Sequence, residues 1–117
     1  MAEPKLYEGR REGGRCRVTV DGQPLDPRHD VRRFADDFEW GYDGNGPRQL
    51  ALALLADHYG RDDAALLDSA RLMRALIETL PDDAWTLTGA DIERSLAAYT
   101  QVPTDLKGLL ARLRGEG

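Results

Sequence analysis

The run Leu50-Ala51-Leu52-Ala53-Leu54-Leu55-Ala56 constrains this chain more than any other stretch. Leu and Ala are strong helix formers, and seven in succession leave a helix no polar face. Such a helix must be enclosed, so the rest of the 117 residues has to wrap around it. Pro47 suits the first turn and Gly60 a left-handed stop, which predicts a helix over about 47–59 with Gly46 as N-cap and Pro47 at N1. The apolar run falls short of the roughly 18 residues of a membrane span, so the enclosure has to be protein.

Downstream the pattern stays helical. Asp62 or Asp63 is placed to cap a second helix reaching about Leu80 and ended by Pro81, with a stripe of Leu66, Ala70, Met73, Ile77 and Leu80. Trp85-Thr86-Leu87 has the composition of a short strand. Thr88 with Asp91 three positions on resembles a capping box opening a third helix, whose inner face is Ile92, Leu96 and Tyr99. After Pro103, Thr104 caps a predicted last helix bearing Leu106, Leu109, Leu110 and Leu113, a stripe that serves either the core or a dimer seam.

Upstream the period changes to two. Leu6 to Gly9 forms a weak strand, and Arg15 to Val20 alternates, with Cys16, Val18 and Val20 on one face and Arg15, Arg17 and Thr19 on the other. Gly13-Gly14 and Asp21-Gly22 bracket the second run as turns, which makes residues 5–25 a hairpin or small meander. Pro24 and Pro27 exclude a helix there, and a short segment, 28–37, connects to an aromatic loop. The expected fold is α+β in one domain spanning 1–117: a small N-terminal antiparallel sheet within 5–37, packed on three or four helices within 47–114.

Between the two halves, Phe38-Glu39-Trp40-Gly41-Tyr42-Asp43-Gly44-Asn45-Gly46 joins three glycines and three aromatics directly to the buried helix. Two readings of it stay open. In one, Phe38 and Trp40 are core anchors and the glycines allow a sharp turn. In the other, the N–H groups of Arg48 and Gln49, the helix dipole and the Arg48 guanidinium gather an anion, with Arg32 and Arg33 adding charge and Trp40 or Tyr42 stacking on a planar group. The candidate ligand or partner site is then Glu39, Trp40, Tyr42, Asn45, Gly46, Arg48, Gln49, Arg32 and Arg33. Glu39 is also the one side chain there suited to general acid/base work. No phosphate-binding loop of the Gly-x-x-x-x-Gly-Lys-Ser/Thr kind is present.

The wider run has a recognisable character. Tyr7-Glu8-Gly9-Arg10, Val18-Thr19-Val20-Asp21-Gly22, Leu25, Phe38-Glu39-Trp40-Gly41-Tyr42, Gly44, Gly46-Pro47 and Gln49-Leu50-Ala51-Leu52-Ala53 together resemble a family of small, functionally uncharacterised proteins of bacteria, phages and haloarchaea. The resemblance covers about residues 7–95 and implies a shared fold without a mechanism. The chain departs from that pattern at Arg33 to Asp37, where an Asn-, His- and Ser-rich segment is usual. It departs again at Asp43, Asn45 and Arg48, in place of Gly, Ser and Ala.

Charge and the remaining residues narrow the function. Residues 1–33 carry eight Lys/Arg against six Asp/Glu, whereas 34–117 carry eight against fifteen, giving −5 for the chain. That balance argues against general nucleic-acid or anionic-membrane binding. With one cysteine, no signal-peptide layout and a composition rich in Arg, Ala, Leu, Asp and Gly, a cytoplasmic protein of bacterial or phage source is expected. His29 and His58 have no metal-ligand spacing with Cys16, and Asp43-Gly44-Asn45-Gly46 matches a calcium loop only in part, so neither a metal nor a cofactor is expected. His58 reads as a satisfied histidine of the core or of the helix's last turn, Cys16 as an inert core thiol, and Ser69 and Ser95 lack a nucleophile context. The expectation is a non-catalytic binding protein acting on a protein partner. The alternative is a binder of a nucleotide or other small anion at the Gly-rich loop and helix N-terminus, with self-association open in either case.

Overall fold

The computed structural model describes residues 5–99. Four antiparallel strands lie in the order β3-β2-β1-β4: β1 is Leu6–Glu12, β2 Arg15–Val20, β3 Gln23–Pro24 and β4 Ala84–Thr88. Helix α1 spans Asn45–Tyr59 and α2 Asp62–Ala75; a 3₁₀ turn at Ile77–Thr79 leads to β4, and α3 follows over 89–99. The α+β expectation holds, with one change. The sheet is not wholly N-terminal, because β4 returns to pair with β1 from Leu6↔Thr88 to Arg10↔Ala84.

Turn chemistry fixes the meander. Glu12 pairs with Arg15 across Gly13-Gly14, at φ of 57° and 81°, and Val20 pairs with Gln23 across Asp21-Gly22, at φ of 51° and 84°. Two successive positive φ values are what a two-residue hairpin of right-handed twist requires. Asp21 adds a clasp, its carboxylate accepting from Leu6 N at 2.8 Å while its own N–H donates to Leu6 O at 2.8 Å. β1 runs three residues beyond its predicted end, turning Tyr7, Gly9 and Arg11 inward and Glu8, Arg10 and Glu12 outward.

The apolar helix is enclosed as its composition demands: Leu50 to Leu55 are fully buried. It begins two residues earlier than predicted. Gly44, in extended conformation, is the N-cap, so Gly46 and Pro47 stand at N2 and N3. Gly60 closes the helix at φ 70°, its N–H on Ala56 O at 3.0 Å. The N-cap of α2 is Arg61, and neither Asp62 nor Asp63 caps it by side chain. Asp62 pairs instead with Arg28 at 2.9 Å. The buried residues of α2 are Ala65, Ser69, Leu72 and Met73; of the predicted stripe Met73, Ile77 and Leu80 are buried while Leu66 and Ala70 are half-buried, and the helix stops at Ala75 rather than near Leu80. The break falls at Leu76, whose φ and ψ of −136° and −54° leave the helical region. The capping box forms as read: Thr88 N donates to Asp91 Oδ2 at 2.9 Å and Asp91 N to Thr88 Oγ1 at 3.2 Å. Ile92 and Leu96 are buried, and Tyr99 is half-buried. The predicted helix from Thr104 lies outside the described residues.

Trp85 of β4 and Trp40 meet edge to face, centroids 5.4 Å apart at 89°. Trp85 lies over its cross-strand partner Gly9 so closely that a Cβ there would stand 2.2 Å from the indole ring. Its Nε1 is buried without an acceptor among the described residues. At the far end of β1, the buried Tyr7 hydroxyl donates to Asp57 Oδ2 at 2.7 Å, and Lys5 pairs with the same carboxylate at 3.1 Å.

Candidate functional site

The nine residues singled out by sequence do not form one site. They fall into two clusters, one about Arg11 and one about Gln49, with a few side chains left at the surface.

The first cluster is organised by Arg11, which sequence reasoning missed. From the inner face of β1, its Nη1 pairs with Glu39 Oε1 at 3.0 Å and reaches Cys16 Sγ at 3.0 Å. Its Nη2 donates to Trp40 O at 3.2 Å, and its Nε to Asp82 O and Oδ1 at 2.9 and 3.1 Å. The guanidinium also stands 4.9 Å over the Trp40 ring. One side chain thus joins β1, β2, the aromatic loop and the segment before β4. Trp40 is 1 % exposed and donates Nε1–H to Asp82 O at 3.0 Å. It is a core anchor with no free face on which a ligand stacks, which corrects the stacking role considered for it.

Glu39 is committed to Arg11, and its Cβ abuts Gly46, where an added Cβ would lie 2.7 Å away. That close approach, and not a cap, is why glycine stands at 46. It also covers the start of α1: Gly46 is buried, Pro47 has no N–H, and the Arg48 N–H is bonded to Gly44 O at 3.0 Å. The helix N-terminus therefore does not offer the row of free donors that an anion would need. A cleft of about 220 Å³ beside this cluster is lined by Gly14, Arg15, Cys16, Asp37, Phe38 and Glu39. Burial, reinforced by the Glu39 carboxylate, raises the Cys16 thiol to about 11. A thiol so placed is protonated at neutral pH and is a poor nucleophile there.

The second cluster is built on Gln49, wholly buried on α1 with all four hydrogen bonds of its amide made. Oε1 accepts from Phe34 N at 2.7 Å and Ala35 N at 3.1 Å; Nε2 donates to Pro27 O at 2.6 Å and Arg32 O at 3.1 Å. The irregular segment 27–35 is thereby held against the helix. Arg28 holds the same segment from outside, at φ 60°, with Asp30 at 3.0 Å and Asp62 at 2.9 Å. Next to Gln49, Arg48 points away from the aromatic loop. Its guanidinium stacks 4.2 Å from the Phe34 ring centroid while Nε donates to the buried Ser69 Oγ at 3.2 Å. Arg32 reaches the same ring at 5.7 Å. Arg33 does not join them, since it pairs with Asp36 at 2.6 Å.

Of the rest, Asn45 is exposed, and Tyr42 is half-exposed with its ring against Gly44. His58, on the last turn of α1, pairs with Glu93 of α3 at 2.6 Å. Among the described residues no group of three or more His, Cys, Asp or Glu side chains is gathered about a common point, and no helix is long and apolar enough to cross a membrane. The missed residues had uneven signals. Arg11 has the strand parity of Tyr7, which marks it as inward-facing, whereas nothing in the sequence marks Asp82 or Ser69 as partners.

A family model described as a family of unknown function, DUF6166, matches residues 7–98. No curated protein and no solved structure matches the chain.

Proposed function

The chain belongs to that family, and from this premise we propose that it is a non-catalytic binding module whose partner is another protein. The finer kinship carried by the Phe-Glu-Trp-Gly-Tyr and Gln-Leu-Ala-Leu-Ala runs, across bacteria, phages and haloarchaea, and the cytoplasmic setting are parts of the same proposal. The docking surface is the outer face of the sheet. Among the described residues helices cover only the other face, which carries Tyr7, Val18, Trp85 and Leu87 into the core. On the outer face Arg10 stands directly opposite Arg17, with Arg15 on the same face. Like charges placed opposite one another across strands are destabilising. Among the described residues Arg10 and Arg15 have no ion pair, and Arg17 has only Glu12 at 3.7 Å. Arg10 and Arg17, with Glu8 and Glu12, border a depression of about 280 Å³ floored by Gly9, Thr19, Ala84 and Thr86. The Arg10–Arg17 opposition is the observation that carries the reading, because a partner's carboxylates would relieve it.

A photo-crosslinking residue at position 10, compared with one at Leu67 on α2, tests this in cells that make the protein. Leu67 is 82 % exposed and serves as the comparison surface. Discrete protein adducts are expected from position 10 and not from position 67. Adducts only from position 67, or none from either, would overturn the assignment.

A further inference from the structure

We propose that Arg32 and Arg48, stacked on Phe34, form a binding site for a phosphate dianion, either free or as a small monoester. In a chain of net charge −5, Arg11, Arg28, Arg33, Arg61, Arg74 and Arg94 all lie within ion-pair distance of a carboxylate. Arg32 and Arg48 do not, among the described residues, although they converge on one ring at 5.7 and 4.2 Å. An aromatic face attracts each guanidinium without neutralising it, so both cations on this one ring keep their full positive charge.

The pair is held by the fold. Arg48 is half-buried and its Nε is fixed by Ser69 Oγ, leaving its Nη groups for a further partner. The backbone of 32–35 is fixed by Gln49, which sets both the Phe34 ring and the root of Arg32. Two planar guanidinium forks suit the oxygens of a phosphate, and two charges match a dianion better than a single carboxylate. The specificity is for the anion itself, and the site is distinct from the sheet face proposed for a protein partner.

Inorganic phosphate, glycerol phosphate and sulfate, each titrated against the protein at ionic strength matched with chloride, test the proposal by calorimetry and thermal unfolding. Saturable stabilisation beyond that of chloride is expected. Binding by both phosphates, tighter for the ester, identifies a monoester site, whereas binding by inorganic phosphate alone identifies a free-phosphate site. The second ionisation of a phosphate monoester lies near pH 6, so the affinity of glycerol phosphate is expected to rise from about pH 5.5 to 7.5 while that of sulfate stays flat. Arg48→Lys and Arg32→Gln should each weaken phosphate binding roughly tenfold or more. Phe34→Leu, which removes no charge, should also weaken it by releasing both side chains. Circular dichroism of the variants establishes that they fold. No response beyond chloride, equal binding by the variants, or a pH profile shared with sulfate would each overturn the assignment.

Discussion

Gln49→Met tests the claim that one buried amide holds the irregular segment 27–35. Methionine nearly matches glutamine in volume, so the substitution removes four hydrogen bonds while opening little cavity. It strands two donors, Phe34 N and Ala35 N, and two acceptors, Pro27 O and Arg32 O. A net contribution of about 0.5–1.5 kcal/mol per bond gives a range of about 2–6 kcal/mol. Because Pro27, Phe34 and Ala35 are half-buried and Arg32 is exposed, water recovers part of that loss. The expected cost is about 3 kcal/mol, a large share of the roughly 5–15 kcal/mol typical of a whole domain. Urea unfolding followed by tryptophan fluorescence measures the loss, and hydrogen exchange locates it in the Phe34 and Ala35 amides. Gln49→Glu sharpens the test. Its carboxylate still accepts from the two amides but faces two carbonyl oxygens, which raises its folded pKa. The stability of that variant should therefore be greatest below the unfolded glutamate value of about 4.3 and decline as pH rises through the folded one. A Gln49→Met protein that loses under about 1 kcal/mol, with Phe34 and Ala35 exchanging no faster, would refute the clamp.

Other perturbations follow from single contacts. Gly9→Ala drives a methyl into the Trp85 ring, which is already braced against Trp40. It should cost about 1–3 kcal/mol and alter the near-ultraviolet dichroism of the tryptophan pair, and an unchanged spectrum would contradict the packing. Thr88→Ala should cost about 1 kcal/mol by removing one half of the capping box, read as a lower midpoint in urea. The Thr88 N–H holds the Asp91 carboxyl below its usual range. That stabilisation is present above the unfolded aspartate value of about 3.9 and is lost as pH falls through the lower folded one, so Asp91→Ala should flatten the acid limb of the stability profile. Cys16, with its thiol raised to about 11, should react slowly with thiol reagents near pH 8 and faster as pH approaches that value. A rate equal to that of the unfolded chain would contradict the burial. The same shift makes its contribution to stability complete below the unfolded thiol value of about 8.5 and declining above it.

The features legible in the sequence were local. The two hairpin turns, the buried helix, its Gly60 stop and the Thr88–Asp91 box each rest on residues within a few positions of one another. The errors arose where distant contacts decide. Gly46 looked like a cap because its neighbour is Pro47, but Glu39 packing against it sets the true helix start two residues back. In the first turns of α2 the buried positions are Ala65 and Ser69 rather than Leu66 and Ala70, because Ser69 is wholly buried and is partnered by Leu66 O and Arg48. Arg11 was passed over because the predicted strand ended at Gly9; the strand runs on to Glu12, which gives Arg11 the parity of Tyr7 and Gly9 and turns it inward. In the candidate site, Trp40 and Gln49 bear on the core, and Arg48 turned toward Phe34. Phe34 and Arg48 are in contact, with the guanidinium 4.2 Å from the ring centroid.

The pairing of β1 with β4 also bears on how the chain is made. As it leaves the ribosome, β1 meets β2 within a dozen residues, but its other neighbour is separated from it by the whole of α1 and α2. At about 5–20 residues per second, that interval is of the order of several seconds. Throughout it one side of β1 is an unpaired edge, open to whatever strand is near. Glu8, Arg10 and Glu12, whose charges do little for the finished core, make that edge a poor template for another chain while translation continues. The first strand to be synthesised among the described residues is thus the last to gain both neighbours, and elongation rate sets how long its second edge stays bare.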